Sequence, residues 1–294
     1  MDPTPTPTFI LYDIAFAQPR QQTSCAPNPW KARYALNFKR VPHTTRWIQL
    51  PDIANLRRSL GVPACRKFAD GSDFYTLPLL QDTQTGGVVA GDSFDIANYL
   101  ETRFPGAGAG DLFPSDVAAE GENGKGKVRL DSYILPSKWE SLVPLSEIDG
   151  RVVAHREYAR FQANVDMAFS VHSQLMAHGM RVDLEVEEEV RQEFVRRVGV
   201  SCWEDLGVYG EARGKLMASF REVLEGLADM FRRDTTGPFL LGARPCYADI
   251  IVGGWLRMMS KALPESEWEE ARGWYDGVFG KLHGALQERF GDVK

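Results

Sequence analysis

In the first hundred residues apolar side chains come in short compact runs, and after residue 115 they recur every three or four positions. Short runs bounded by turn residues predict strands, and the longer periodicity predicts helices. Residues 9–14 (FILYDI) read as a strand, followed by a long polar loop over 15–28. Asn28-Pro29 then opens a helix, with Asn as N-cap and Pro at the first helical position. Trp30, Tyr34 and Phe38 recur at four-residue spacing and form one face of it. Residues 44–50 (TTRWIQL) alternate as a second strand, and Asp52 caps a short helix burying Ile53, Leu56 and Leu60. A loop over 61–72 leads to two further strands, 75–81 (YTLPLLQ) and 87–90 (GVVA), joined by the turn-rich 82–86. Pro78 falls inside the first of these, which a ladder tolerates only at an edge or a bulge. Asp92-Ser93 starts a helix with Ile96, Ala97, Leu100 and Phe104 at helical spacing, and Pro105-Gly106 stops it.

The run GAGAG at 106–110 is the clearest linker in the chain. Beyond it, segments 128–139, 154–176, 184–198, 213–231, 248–262 and 265–290 all carry helical spacing, punctuated by Pro136, Pro144, Gly237-Pro238 and Pro264. The pattern predicts a small α/β domain over 8–105 and an all-α helical bundle over 115–294. A length of 294 residues suits two domains. Alternating Pro and Thr at 3–7 predict an extended or disordered tail.

Composition narrows the class. With 44% hydrophobic and 25% charged residues the chain is neither disordered nor a disulfide scaffold. No apolar run reaches the ~18 residues of a membrane span. The N-terminus lacks the basic-then-apolar order of a secretory signal. Cys25, Cys65, Cys202 and Cys246 are too scattered for a zinc cluster, and the five His show no metal spacing. Free cysteines point to a reducing compartment, so the expected address is the cytosol. Charge divides unevenly: residues 1–106 are net +2 and the remainder net −8. An acidic chain without a basic stripe is a poor nucleic-acid binder. The mildly basic first third suits a small anionic ligand or is ordinary scatter of surface charge. The Glu187–Glu189 run reads as a solvated helix face.

Strand, helix, strand, helix, strand, strand, helix, with Pro in the third strand and Asp-Ser after the fourth, resembles the glutathione transferase family. Four motifs in order carry the resemblance: Ala26-Pro27-Asn28-Pro29-Trp30-Lys31, Tyr75-Thr76-Leu77-Pro78, Gly91-Asp92-Ser93, and Tyr247-Ala248-Asp249-Ile250. The first looks like the fungal, etherase-related, serine-type branch. The resemblance implies a thioredoxin-like N-terminal domain that binds glutathione and a helical domain that adds a pocket for a small apolar co-substrate. It implies a cis Pro78 that presents the Leu77 main chain to the cysteinyl part of glutathione. Asp92 and Ser93 hold the γ-glutamyl end at a helix start, or serve as a plain N-cap, or both. Asp249 reads as a structural capping residue, with Cys246 where the family has Ser or Thr. Homodimers are the family habit.

The family's thiol-activating serine is missing, because Ala26 stands in its place. Glutathione reacts as the thiolate, so a donor must lower the thiol pKa. Ser24, Asn28, Cys25 and Tyr12 are the candidate substitutes, in that order, or all four are scaffold. Trp139, Phe169, Trp255, Met258 and Met259 line a co-substrate pocket or belong to the core. Three functions stay open: addition of the thiolate to an apolar electrophile in secondary metabolism or detoxification, cis–trans isomerisation by reversible addition, and a non-catalytic binding or regulatory role.

Overall fold

The computed structural model describes residues 9–68, 70–115, 128–135 and 154–294. The tail at 3–7, Pro136, Trp139 and Pro144 lie outside them. β1 (Phe9–Ile14) leads through a helical turn, α1 (Arg20–Thr23), into α2 (Pro27–Phe38) and β2 (His43–Ile48). α3 (Ile53–Ser59) and a small hairpin of β3 (Arg66–Lys67) and β4 (Asp73–Phe74) follow. β5 (Leu79–Asp82), β6 (Val88–Ala90) and α4 (Ser93–Arg103) complete the unit. The sheet order is β2-β1-β5-β6, with β1 parallel to β2 and antiparallel to β5. A parallel pair needs a crossover, and α2 supplies it.

Three details differ from the sequence reading. Ala26, not Asn28, is the N-cap of α2, and Pro27 takes the first helical position, where its missing N–H costs nothing. The third strand begins only at Leu79, so Pro78 precedes the ladder instead of interrupting it. The Leu77–Pro78 peptide is cis. Asp52 sits at the N-cap of α3 but makes no capping bond, and only Ile53 of the three expected apolar residues is fully buried.

α2 is buried on every side from Pro29 to Phe38, between the sheet, α4 and the helical domain. Its charged residues must therefore be paired. Arg33 donates to Asp13 Oδ2 at 2.6 Å and to Thr45 Oγ1 at 2.8 Å, with both members of the ion pair fully buried.

Among the described residues the helical part comprises α5 (Arg156–Ser170), α6 (Gln174–Ala177), α7 (Glu187–Val198), α8 (Gly210–Phe231), α9 (Tyr247–Ala262) and α10 (Glu265–Phe290). The helix expected over 154–176 is broken between α5 and α6. Leu130–Ser132 forms one 3-10 turn where a helix was expected over 128–139. α10 kinks at residues 274–277, where Tyr275, Asp276 and Gly277 take positive φ. α9 forms the centre of the core, and Phe169, Trp255, Met258 and Met259 pack there. Its start has the expected structural cap: Asp249 accepts from the N–H groups of Cys246 at 2.6 Å and Leu240 at 2.7 Å, and the Cys246 side chain completes the box. The two domains meet where α9 crosses the first turn of α2. A Cβ on Gly254 would lie 2.6 Å from the Pro27 carbonyl oxygen and 2.9 Å from Lys31 Cγ, so this crossing needs glycine.

Candidate active site

The start of α2 is unusually bare. An α-helix leaves its first N–H groups without internal partners, and a polar N-cap side chain normally takes one of them. Ala26 has no such side chain, and Pro27 and Pro29 have no N–H. The first internal bond runs from Trp30 N to Ala26 O at 3.1 Å. The Asn28 N–H is left without an acceptor among the described residues. Asn28 is also the one partly exposed residue of the four expected thiol activators. Its Oδ1 accepts from Lys31 Nζ at 2.9 Å.

Ser24 and Cys25 lie deeper. The Ser24 carbonyl accepts from Trp30 Nε1 at 2.8 Å and Arg257 Nε at 3.1 Å, which pins the loop to the helical domain. Arg257 also donates to the carbonyls of Gln21 at 3.0 Å and Gln22, and its guanidinium lies over the Trp30 ring. Ser24 Oγ is buried without a partner. Burial pushes the Cys25 thiol up to about 12 although Arg257 pulls it down, so at neutral pH Cys25 is no thiolate. Tyr12, at the end of β1, donates to Gln81 Oε1 at 2.5 Å and faces the smaller core cluster with Leu77.

Leu77, Pro78, Asp92 and Ser93 are gathered by a residue the sequence did not reveal. Arg57, buried on α3, donates to the carbonyls of Thr76 at 2.7 Å, Gly91 at 3.0 Å and Pro63 at 2.6 Å. It ties the segment before Pro78 to the turn before Asp92. Leu77 lies two residues ahead of the first paired position of β5, so the ladder does not use its main chain. Asp92 caps α4 by accepting from Phe94 N at 2.8 Å. Ser93 Oγ, in the first turn of α4, is buried and unpartnered.

α5 brings the two helix starts together. Gln162 Oε1 accepts from the Tyr247 hydroxyl at 3.2 Å, and that hydroxyl lies 3.1 Å from the Ser93 carbonyl. One turn on, Asp166 Oδ1 pairs with Lys31 Nζ and accepts from Trp255 Nε1 at 2.6 Å. Successive turns of a helix are about 5.4 Å apart, so the starts of α2 and α4 converge on one short stretch of α5.

A cavity of about 700 Å³ adjoins the connection between β1 and α2, walled by Ala17, Gln18, Met180, Arg181, Arg191 and Trp203. A larger one, about 750 Å³, lies at the far end of α2 beside Asn37 and Arg40. Among the described residues no three potential ligands cluster as a metal site, and no helix is long and apolar enough to cross a membrane.

A thioredoxin-like sheet joined through its crossover helix to a helical domain, with two helix starts converging at the seam, defines a two-domain architecture. Comparison with known proteins is specific. The N-terminal-domain model of glutathione S-transferase matches residues 26–103, and the C-terminal-domain model of the same family matches residues 170–289. The chain belongs to the glutathione S-transferase family. The glutathione S-transferase-like protein ustS of Aspergillus flavus is 33% identical over 115 residues. That match spans 37% of this chain and only 39% of the relative's own length. The crystal structure of CsGST63524 of Ceriporiopsis subvermispora in complex with glutathione is similar with a TM-score of 0.69 at 25% identity, over 96% of this chain and 97% of that one. Glutathione transferase GSTFuA2 from Phanerochaete chrysosporium has a TM-score of 0.69 at 22% identity, over 98% and 100% of the two chains, a likeness of fold.

Proposed function

We propose that the chain binds glutathione at the seam and adds its thiolate to a small electrophile. The observation that carries this reading is an unspent donor at each of the two helix starts facing α5: the Asn28 N–H of α2 and the Ser93 hydroxyl of α4. Ser93, Asp92 and the first turn of α4 hold the γ-glutamyl end, since a helix start favours a carboxylate. The Leu77 main chain, outside the ladder, pairs with the cysteinyl unit, and Pro78 sets the direction of that segment. Among the thiol activators Asn28 stands first, because it is the partly exposed one and its donors have no acceptor among the described residues. Ser24 follows, its hydroxyl enclosed by residues anchored to Trp30 and Arg257. Cys25 and Tyr12 come after.

In the reaction the thiol proton leaves to solvent as sulfur ionises against the Asn28 donors. The sulfur lone pair attacks the electrophilic carbon, and either a leaving group departs or the resulting carbanion takes a proton. Addition followed by bond rotation and expulsion of the thiolate gives isomerisation instead. The cavity beside the β1–α2 connection combines Met180 and Trp203 with Arg181 and Arg191, which suits an apolar electrophile carrying a polar or anionic group. A cytosolic homodimer is the assembly this reading expects.

The test is turnover with an activated olefin while glutathione is counted. Loss of one glutathione per product supports conjugation, and an unconsumed pool with altered olefin geometry supports isomerisation. Ser93→Ala raises KM with little change in kcat, whereas Asn28→Ala lowers kcat about tenfold or more, the loss of one charge-assisted hydrogen bond. Ala26 favours a second reading, a binding protein without turnover. Tight glutathione binding with an unshifted thiol supports that one.

A further inference from the structure

Lys31 sits where helix energetics do not want it. It is fully buried in the opening turns of α2, and a cation near a helix N-terminus opposes the helix dipole. Burying an ammonium is costly unless it is paired and hydrogen-bonded. Its acceptors are Asn28 Oδ1 at 2.9 Å and Asp166 Oδ1. Asp166 is itself held by Trp255 Nε1 at 2.6 Å, and Gly254 leaves room for the lysine stem.

The chemistry of the donors decides which way Asn28 points. An ammonium has only donors, and a side-chain amide has one acceptor oxygen and a donor NH2 group. Only Oδ1 can face Lys31, so Nδ2 must turn away from it. Nδ2 has no acceptor among the described residues, and it belongs to the same residue as the unspent Asn28 N–H. Lys31 thus fixes the Asn28 amide with its donor group turned away from the ammonium.

We propose that Lys31 is the positioning residue for thiol ionisation, acting through Asn28: it fixes the amide so that Nδ2 and the main-chain N–H receive the same thiolate. This rests on the glutathione reading above. Among the described residues, the other charges around the start of α2 are Asp166 on α5, Arg257 and Lys261 on α9, Asp13 on β1, Arg33 on α2 itself and Asp92 before α4. They act through space and are shared by every variant below, so they do not depend on the orientation of the Asn28 amide.

The test is the pH titration of thiolate absorbance for glutathione bound to the wild type, Lys31→Met, Asn28→Ala and the double variant. Lys31→Met raises the pKa of the bound thiol by about one unit, with glutathione affinity little changed. Asn28→Ala raises it at least as far, and the double variant matches Asn28→Ala alone, since the lysine acts only through the amide. Should Lys31→Met fail to fold, Lys31→Arg keeps the charge opposite Asp166 but not the point geometry of the ammonium, and it raises the thiol pKa too. An unchanged thiol pKa in the folded lysine variant overturns the proposal. So does a lysine shift that adds in full to that of Asn28→Ala. A wild-type thiol that titrates like free glutathione overturns the glutathione reading itself, which separates the two failures.

Discussion

The two helix starts that face α5 are finished in opposite ways. At α4 the Asp92 carboxylate accepts from Phe94 N, and the Ser93 carbonyl is gripped by Tyr247. At α2 the cap is Ala26, two of the first three residues are proline, and the Asn28 N–H is unspent. A completed cap holds its helix and leaves a hydroxyl for the end of a ligand. An open start gives up a capping bond and keeps its donors for an atom that must carry charge. On the proposed reading, the pair divides the labour of a thiol-transfer site into holding and activating.

An open start is tolerable only if the rest of α2 is fixed elsewhere, and that gives the largest expected effect. Arg33→Ala leaves Asp13 buried without its partner and lowers stability by about 3–5 kcal/mol in chemical denaturation. A variant as stable as the wild type would mean that α2 is not anchored this way.

The far end of α2 supplies the next. Burial lowers the His43 imidazole to about 4, with Arg33 and Lys294 pushing the same way and the Val41 carbonyl opposing. The unfolded chain, with an ordinary pKa of about 6.5, takes up the proton first, so stability is full above pH 6.5 and is lost as pH falls toward 4. The loss is roughly 3 kcal/mol. Asp249, pushed up to about 6 by burial against the Leu240 and Cys246 donors, works in the opposite sense below pH 6. The measurement is therefore the difference between wild type and His43→Gln across that range. A constant difference would refute the assignment to His43.

At the crossing of the two domains, Gly254→Ala forces its Cβ against the Pro27 carbonyl and costs about 1–3 kcal/mol. Gly214→Ala, on α8 with nothing near, gains about 0.5–1 kcal/mol. Thermal melts of the two variants should move in opposite directions. The smallest effects probe the comparison itself. Asp92→Ala costs about 1 kcal/mol, whereas Ala26→Ser supplies the absent cap and gains a few tenths up to about 1 kcal/mol. If both variants destabilise alike, the two starts are not finished differently after all.

Much of this fold was legible in the chain. FILYDI and Asp92-Ser93 formed where local pattern placed them, because their signals are short-range, and the capping box at Asp249 formed where the family resemblance implied it. The boundary of α2 was misplaced because Pro27 and Pro29 both suit an early helical position, and sequence offers no way to choose between them. The cations that organise the site were illegible. Arg57, Lys31 and Arg257 stand among apolar residues like members of a solvated face, and each has a partner well away along the chain, Gly91 being 34 residues from Arg57, Asp166 135 from Lys31 and Ser24 233 from Arg257. Periodicity reports which side of a helix is apolar and carries no information on which distant carbonyl awaits a guanidinium. The cavity walled by Met180, Arg191 and Trp203 was hidden for the same reason.

The central claim is that the bare start of α2 ionises a bound thiol. Its most direct measurement is the resonance of the cysteinyl Cβ in ¹³C-labelled glutathione, followed against pH while bound to the wild-type chain. The account predicts half-titration about two units below that of the free peptide, the shift that one charge-assisted hydrogen bond and a helix N-terminus supply together. A bound cysteinyl Cβ that titrates with the free peptide would contradict it.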